Sequence, residues 1–436
     1  MLPIELLKKI IHFTISHHGL DDVPAQANGG EFFHQDWLRD RRALGQVCSS
    51  FRDVVAEITA EYVIITHRRD LEWIVVQFKC SVPGYSTNEQ TQFLIESLGG
   101  PPVSSGSNLG HWTKRIDLRI VGGYDHSLIP ILLEHTPNLL VFLVQNKGIP
   151  NSTLISRGRL PRETLAGLFK FSKRLECLRL ESYNEAPTLR DICDISASLP
   201  GLVTLQLTYL YGFSIKTTEL MNLAEDQVSS HLIFPSLTTL SIGATQQIGP
   251  AWKAGPEFLP AWDLLLGALS RNSDQLPRLK RIELSFIPFS SAGQNFFNIH
   301  ASKIRRLTIP TFACLKNNFT NILTLCSQLE TVILIHWVHH PAPDFPMSHP
   351  SLRRICLVAV TNLAQCPQLV GLHDGVTGSI DELLQHLHRF NGQFPHLHEV
   401  WIEDAGIWEG ALDTLKSRWS SSWSVEIRDR EGRPLA

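Results

Sequence analysis

Histidines are the residue type in this chain with the clearest capacity to bind a metal. Eight of the 19 fall in two clusters, one of His336, His339, His340 and His349 and the other of His386, His388, His396 and His398. His386 and His388 are two residues apart in a predicted helix, so they lie on different faces, whereas a helical zinc pair is spaced i, i+4. We therefore predict surface histidines and no metal site.

Cysteines could supply thiolate ligands, disulfides or a nucleophile. The chain has eight, without a C-x-x-C pair or a short regular spacing: Cys48, Cys80, Cys177, Cys193, Cys314, Cys326, Cys356 and Cys366. Several fall at apolar positions of predicted strands and helices, where cysteine behaves as a small core residue. The pattern predicts reduced thiols inside the cell.

Enzyme motifs are absent from the sequence. There is no G-x-S-x-G elbow, Walker loop or G-x-G-x-x-G, and the Gly-rich stretch 99–110 lacks the lysine and flanking strand of a phosphate loop. We predict no catalytic residue, no cofactor and no enzyme activity. A net charge of −3 provides no strong positive field, which argues against nucleic acid as a partner.

The apolar runs of the chain are too short for a membrane span. Leu139–Val144 is about the length of a strand, far below the roughly twenty residues that cross a bilayer. The N-terminus carries Glu5, Lys8 and Lys9 where a secretory signal needs an apolar core. These features predict no membrane partner and an intracellular location, cytoplasmic, nuclear or both.

A spacing of Leu-x-x-Leu-x-Leu repeats along most of the chain. Nine segments share it: 139/142/144, 175/178/180, 202/205/207, 237/240/242, 279/282/284, 304/307/309, 329/332/334, 352/355/357 and 397/400/402. Proline often lies two residues before the first apolar position, as at Pro200 and Pro350, and stops a helix before a strand. The strongest upstream helical patterns include Leu128, Leu165, Trp262 and Leu383, and Val425 with Ile427 suggests a final strand.

Helices that alternate with short strands predict an α/β fold with parallel strands. Recurrence of the unit indicates that the units stack, because one unit cannot bury enough apolar surface alone. The pattern resembles the leucine-rich-repeat family, although the intervals are irregular, and this resemblance implies a curved solenoid over residues 113–436 with a C-terminal cap. Residues 67–112 are predicted to be a linker with the first solenoid elements.

The first 66 residues predict a separate small helical module. Pro3 suits the first turn of a helix, and residues 36–58 predict two more helices with apolar stripes. Residues 17–35 are predicted to form an inserted surface loop, because Gly, Asp, Pro and Asn lack apolar periodicity there.

Both ends of this module resemble the F-box motif of substrate receptors in cullin-type ubiquitin ligases. The first half reads Leu2-Pro3-Ile4-Glu5-Leu6-Leu7, and the second reads Val47-Cys48-Ser49-Ser50-Phe51-Arg52. The resemblance implies docking on a Skp-type adaptor, and through it a cullin, by the residues Leu2, Pro3, Leu6, Leu7, Ile10, Leu44, Val47, Cys48 and Phe51. It also implies an unknown protein target on the solenoid.

The sequence leaves other interpretations of these residues open. The apolar residues of the module could form its own core, and the whole chain could be a leucine-rich interaction scaffold with no link to ubiquitination. On the strand face opposite the core, early repeats carry polar residues, whereas late repeats carry an apolar stripe of Ile333, Ile335, Cys356, Val358 and Trp401. This stripe either binds a target or is covered by a loop of the chain itself.

Overall fold

The computed structural model describes the parts of the chain that carry the repeat. The described residues are 6, 47, 60–80, 109–120, 122–145, 158–182, 185–208, 210, 232–243, 259–284, 290–310, 316–337, 345–360, 383–402, 425–428 and 434. The chain divides into a first unit, residues 1–202 with 206–212, and a second unit, residues 203–205 with 213–436. The predicted loop 17–35 lies outside the described residues.

The first unit alternates short strands with helices. Its elements are β1 (Tyr62–Ile65), α1 (Arg68–Cys80), α2 (Leu109–Trp112), β2 (Arg115–Leu118), α3 (Leu128–Glu134), β3 (Val141–Val144), β4 (Gly158–Arg159), α4 (Arg162–Phe171), β5 (Cys177–Leu180), β6 (Glu185–Ala186) and α5 (Leu189–Ser198). Strands β1, β2, β3 and β5 pair in that order, and every pair is parallel. Strands β4 and β6 form a separate parallel pair.

The division between the units falls within strand β7 (Thr204–Leu207). The second unit continues with β8 (Thr239–Ile242), α6 (Leu259–Ala268), β9 (Arg281–Leu284), α7 (Ser291–His300), β10 (Arg306–Pro310), α8 (Lys316–Leu325), β11 (Thr331–Trp337), β12 (Arg354–Val360), β13 (Glu399–Ile402) and β14 (Glu426–Arg428). Residues 383–389 are also helical. Strands β8 to β14 pair in sequence order, all parallel.

The repeated aliphatic residues lie in register and form the core. In the second unit one continuous row consists of Ile282, Leu307, Val332, Ile355, Val400 and Ile427. All six are buried. Neighbouring repeats of the second unit therefore bury one another's apolar side chains, and this burial stabilises a strand as short as β9 in this sheet.

The strand pattern of the sequence is confirmed. Each of the nine predicted segments contains a strand, and the final strand predicted from Val425 and Ile427 is β14. Strands β1 and β2 were missed as members of the repeat, because Ala60 and Thr113 occupy the position of the first leucine. Strand β1 lies within the residues assigned to the N-terminal module and pairs with β2.

The helices before the repeats are confirmed around Leu128, Leu165, Trp262 and Leu383. Helices α5, α7 and α8 were not predicted, although two of them carry clear N-terminal caps. Thr188 Oγ1 accepts a hydrogen bond from Asp191 N at the start of α5, and Ser290 Oγ accepts one from Gly293 N at the start of α7. These caps satisfy backbone donors that a helix leaves unpaired. No helix among the described residues is long and apolar enough to cross a membrane.

Gly110 marks a close approach between α2 and the end of α3. A Cβ atom at this position would lie 2.2 Å from the carbonyl oxygen of His135, below any real contact distance. Glycine is therefore required where the backbone of α2 meets the chain after α3. Residues 109 and 110 belong to α2, so the last two residues of the Gly-rich stretch 99–110 are helical.

Candidate functional site

Alternate side chains of the strands point away from the buried aliphatic rows, and we call the surface they form the outer face. In the second unit, cross-strand register aligns Ser241, Glu283, Thr308, Ile333, Cys356, Trp401 and Arg428 along this face. The repeat does not require a particular residue type at these positions, because their side chains do not pack in the aliphatic core. The outer face is therefore where the chain can carry a binding function.

The outer face of the first unit is organised around Asp117. Its side chain has 0% exposure and accepts hydrogen bonds from Arg115 Nε at 2.8 Å, Arg119 Nη2 at 2.9 Å and Tyr62 Oη at 2.7 Å. The Arg115 guanidinium also lies 4.5 Å from the centroid of the Tyr62 ring. Burial acts to raise the pKa of the Asp117 carboxyl, but both arginines and the hydrogen bonds outweigh it and lower that pKa.

A second ionic group continues this face on β5. Arg179 Nε donates to Glu181 Oε1 at 2.9 Å, and Gln145 Nε2 donates to Glu181 Oε2 at 3.3 Å. Glu181 is buried, so its charge is neutralised within the protein. On this face, the buried Asp117 and Glu181 are thus each paired with arginine side chains.

The late strands of the second unit carry the predicted apolar stripe. Ile333 pairs in register with Cys356 and Ile335 with Val358, and Cys356 pairs with Trp401, so the structure brings all five residues together. Ile333 and Ile335 are only 6% and 5% exposed, whereas Cys356, Val358 and Trp401 are half-buried. The accessible part of the stripe is therefore on β12 and β13, and target binding there stays a prediction.

Trp401 is held in place by charged neighbours. Its Nε1 donates to Glu399 Oε2 at 3.0 Å, and its ring lies 4.6 Å from the Arg354 guanidinium, which also donates to Glu399 at 2.6 Å. Burial acts to raise the pKa of Glu399, but hydrogen bonds from Arg354 and Trp401 lower it. A half-buried tryptophan fixed in this way is typical of an interface anchor, because little side-chain entropy remains to be lost.

Two buried hydroxyl groups lie on the strands that precede this stripe, Ser241 on β8 and Thr308 on β10. Ser241 and Thr308 flank Glu283 in register, and Glu283 forms an ion pair with Arg281. The Ser241 Oγ and Thr308 Oγ1 atoms find no hydrogen-bond partner among the residues that the structure describes. A buried hydroxyl without a partner is unfavourable by about 1–3 kcal/mol. The second unit therefore combines unsatisfied polar atoms with apolar surface.

Two of the nine predicted adaptor-binding residues are described. Leu6 is helical and 44% exposed, and Val47 lies in a turn and is 62% exposed. They belong to opposite halves of the motif. The other seven, Leu2, Pro3, Leu7, Ile10, Leu44, Cys48 and Phe51, lie outside the described residues.

The prediction of surface histidines is wrong for His349. It is 1% exposed, and its imidazole is hydrogen-bonded to the backbone of Leu323 and Leu352. In the sequence, His349 belongs to a cluster of histidines, but in the structure its ring connects α8 to the chain before β12 through hydrogen bonds. His396 and His398 are exposed. Within the described part of the chain, no group of three or more potential metal ligands is found.

The described elements define an α/β protein with parallel strands and alternating helices. No family model and no curated relative matches the chain. Among solved structures, the chain is similar to a chain of the crystal structure of the Rad7 and Elc1 complex in yeast, with 14% identity and a TM-score of 0.32. The match covers 69% of this chain and 72% of the other. At this level of similarity, the function must be inferred from the residues of this chain.

Proposed function

We propose that this protein is the substrate receptor of a cullin-type ubiquitin ligase. Its N-terminal F-box-like residues dock on a Skp-type adaptor, and its parallel repeats form a leucine-rich-repeat-like solenoid that holds a protein target. The supporting observation is the exposure of Leu6 and Val47, one from each half of the F-box-like motif. Large apolar side chains left in water commonly mark a contact surface.

The mechanism that follows is positioning. A receptor of this kind brings the target close to a ubiquitin-charged enzyme held elsewhere in the complex, and proximity raises the effective concentration of the reacting groups. The outer face of the second unit is suited to the target, because Cys356, Val358 and Trp401 retain exposed apolar surface.

Adaptor docking is tested by binding of the full chain to purified Skp-type adaptor. We expect Leu6→Asp and Val47→Asp each to weaken binding by about tenfold or more, because a carboxylate must be desolvated in an apolar contact. Ile233→Asp is the matched control, since Ile233 is 47% exposed but lies outside the motif, and it should bind as the wild type does.

Failure of the wild-type chain to bind the adaptor would remove the ligase proposal. That result would favour the interaction scaffold with no link to ubiquitination. Equal loss of binding in all three variants would show that the contact is not specific to the F-box-like motif.

The target face is tested separately in the adaptor-bound complex. A photo-cross-linking residue at Val358 should capture the target, whereas the same residue at Met347, which is 70% exposed, should not. Trp401→Asp should abolish the capture at Val358 and leave adaptor binding unchanged. Capture that survives Trp401→Asp would place the target elsewhere.

A further inference from the structure

Two buried histidines connect helix ends in the second unit. His300 is the last residue of α7 and has 0% exposure, and its Nε2 lies 2.8 Å from the carbonyl oxygen of Leu269, just after α6. His349 precedes β12, and its Nε2 lies 3.2 Å from the carbonyl oxygen of Leu323 in α8. Both carbonyl groups lie at a helix C-terminus, where intrahelical donors run out.

The hydrogen bonds assign one protonation state to each ring. A carbonyl oxygen only accepts, so Nε2 carries the proton in both histidines. Nδ1 of His349 accepts from Leu352 N at 3.1 Å. Nδ1 of His300 is buried and has no hydrogen-bond partner among the described residues. Neither ring therefore has an acceptor for a second proton.

The groups that face these rings do not favour a positive charge. His300 packs against the Phe296 ring, with centroids 4.9 Å apart, and Lys303 adds a positive charge that lowers its pKa. Burial lowers the pKa of Lys303, and the Asp274 carboxylate opposes this shift only in part. Burial is the largest influence on the pKa of both His300 and His349 and lowers it, while the backbone hydrogen bonds oppose the shift.

The surroundings of His349 contain no compensating anion in the part of the chain that the structure describes. Its backbone partners are Leu323 and Cys326, and burial raises the pKa of the Cys326 thiol to about 12, so this thiol stays neutral in acid. From the helix at 383–389, His386 approaches the carbonyl oxygen of Pro346 at 3.4 Å.

In the first unit, the end of α3 is closed by a hydroxyl group, although the half-buried His135 follows this helix and burial lowers its pKa as well. Thr136 has 0% exposure, and its Oγ1 donates to the carbonyl oxygens of Leu132 at 3.2 Å and Leu133 at 3.3 Å. In the second unit, Gln275 Nε2 donates to the carbonyl oxygen of Ala268 at 2.7 Å and shows that an amide can fill this role. The use of histidine at two such positions is specific to the second unit among the contacts described.

We propose that His300 and His349 form an acid-sensitive latch that loosens the second unit, and with it the target-binding outer face, at mildly acidic pH. An unfolded histidine titrates near a pKa of about 6.5. Below a pH of about 6.5 the unfolded chain binds protons on these histidines, whereas the folded second unit does not. The free energy of unfolding is therefore highest above this pH and decreases as the pH falls below it. Each histidine lowers the folding equilibrium constant by roughly tenfold per pH unit until its own folded pKa is reached.

The test is amide hydrogen exchange of the full chain at about pH 7 and about pH 5.5, with exchange times scaled for the intrinsic pH dependence. Peptides from residues 259–360 should lose protection by up to about tenfold for each histidine at the lower pH. Peptides from residues 60–200, where burial also lowers the pKa of the half-buried His135, should lose less. His300→Gln with His349→Gln should remove most of this loss, since glutamine donates the same hydrogen bond without titrating. His396→Gln, at an exposed histidine, is the control and should keep the loss.

Unchanged protection of residues 259–360 in the wild type, or a loss that persists in the double variant, would overturn the proposal. If the double variant does not fold, exchange of the imidazole C2 proton in the wild type gives the answer. His300 and His349 should then show midpoints clearly below the unfolded value of about 6.5. Midpoints at or above that value would equally overturn the proposal.

Discussion

The two units use the same strand-and-helix repeat but fill its outer face with different chemistry. In the first unit, Asp117 and Glu181 neutralise the arginines beside them. In the second, an apolar stripe ends in the half-buried Trp401, and the strands before the stripe carry buried hydroxyls that have no partner among the described residues. Core positions are constrained by burial, whereas outer positions are free to vary. One backbone can thus carry a self-contained ionic surface and a surface suited to a partner.

The largest expected effect tests the ionic surface of the first unit. Asp117→Ala should destabilise the protein by about 3–5 kcal/mol, because it leaves Arg115 and Arg119 partly buried without their carboxylate. Urea unfolding gives the magnitude, and hydrogen exchange should place the loss in residues 60–145. A loss below about 1 kcal/mol would show that the cluster does little for stability.

Asp117→Asn is the matched variant for this cluster. The amide keeps the shape and one acceptor oxygen, so a smaller loss than that of the alanine variant is expected. Equal losses would assign the whole effect to charge.

As the pH is lowered, the second unit should lose stability at a higher pH than the first unit. The pKa of Asp117 is lowered in the folded chain, so its contribution is present above the unfolded value of about 3.9 and is lost as the pH falls through the folded pKa. The stabilisation that His300 and His349 contribute to the second unit decreases at higher pH than this, starting below a pH of about 6.5. Hydrogen exchange between these two pH values should therefore show a larger loss of protection in the second unit than in the first. Simultaneous loss in both would contradict the comparison.

Gly110→Ala should destabilise the first unit by about 1–3 kcal/mol, because the added Cβ meets the carbonyl oxygen of His135 and the backbones must move apart. Gly201→Ala is the control, since a Cβ there has no atom within 4 Å. Thermal unfolding of both variants measures the difference. Similar melting temperatures for the two would rule out a close approach at α2.

The smallest effect tests Trp401. Trp401→Phe removes the donor to Glu399 but keeps an aromatic ring beside Arg354, so we expect a loss of about 1 kcal/mol in the second unit. Urea unfolding should detect it, and hydrogen exchange of the first unit should be unchanged. A neutral result would mean that Arg354 and Arg428 hold Glu399 without the indole donor.

The aliphatic spacing predicted the strands well, because it reports directly on which side chains must be buried. It failed at Thr113, which is fully buried at the position of a leucine, since a polar residue at that position removes the signal. Helices α5 and α7 could have been found from their caps at Thr188 and Ser290. The Asp117 cluster could not, because Tyr62 and Asp117 are 55 residues apart and meet only through the pairing of β1 with β2.

By itself the sequence determined the period of the strands, their parallel arrangement and the apolar character of the late outer face. These properties follow from local spacing and from the requirement that apolar residues leave water. Only the tertiary structure decided that the His349 ring is buried and that two arginines share Asp117. It also decided that the Ile333 side chain is buried, whereas the Trp401 side chain remains partly exposed. Such outcomes depend on which distant segments become neighbours, and residue order does not specify those distances.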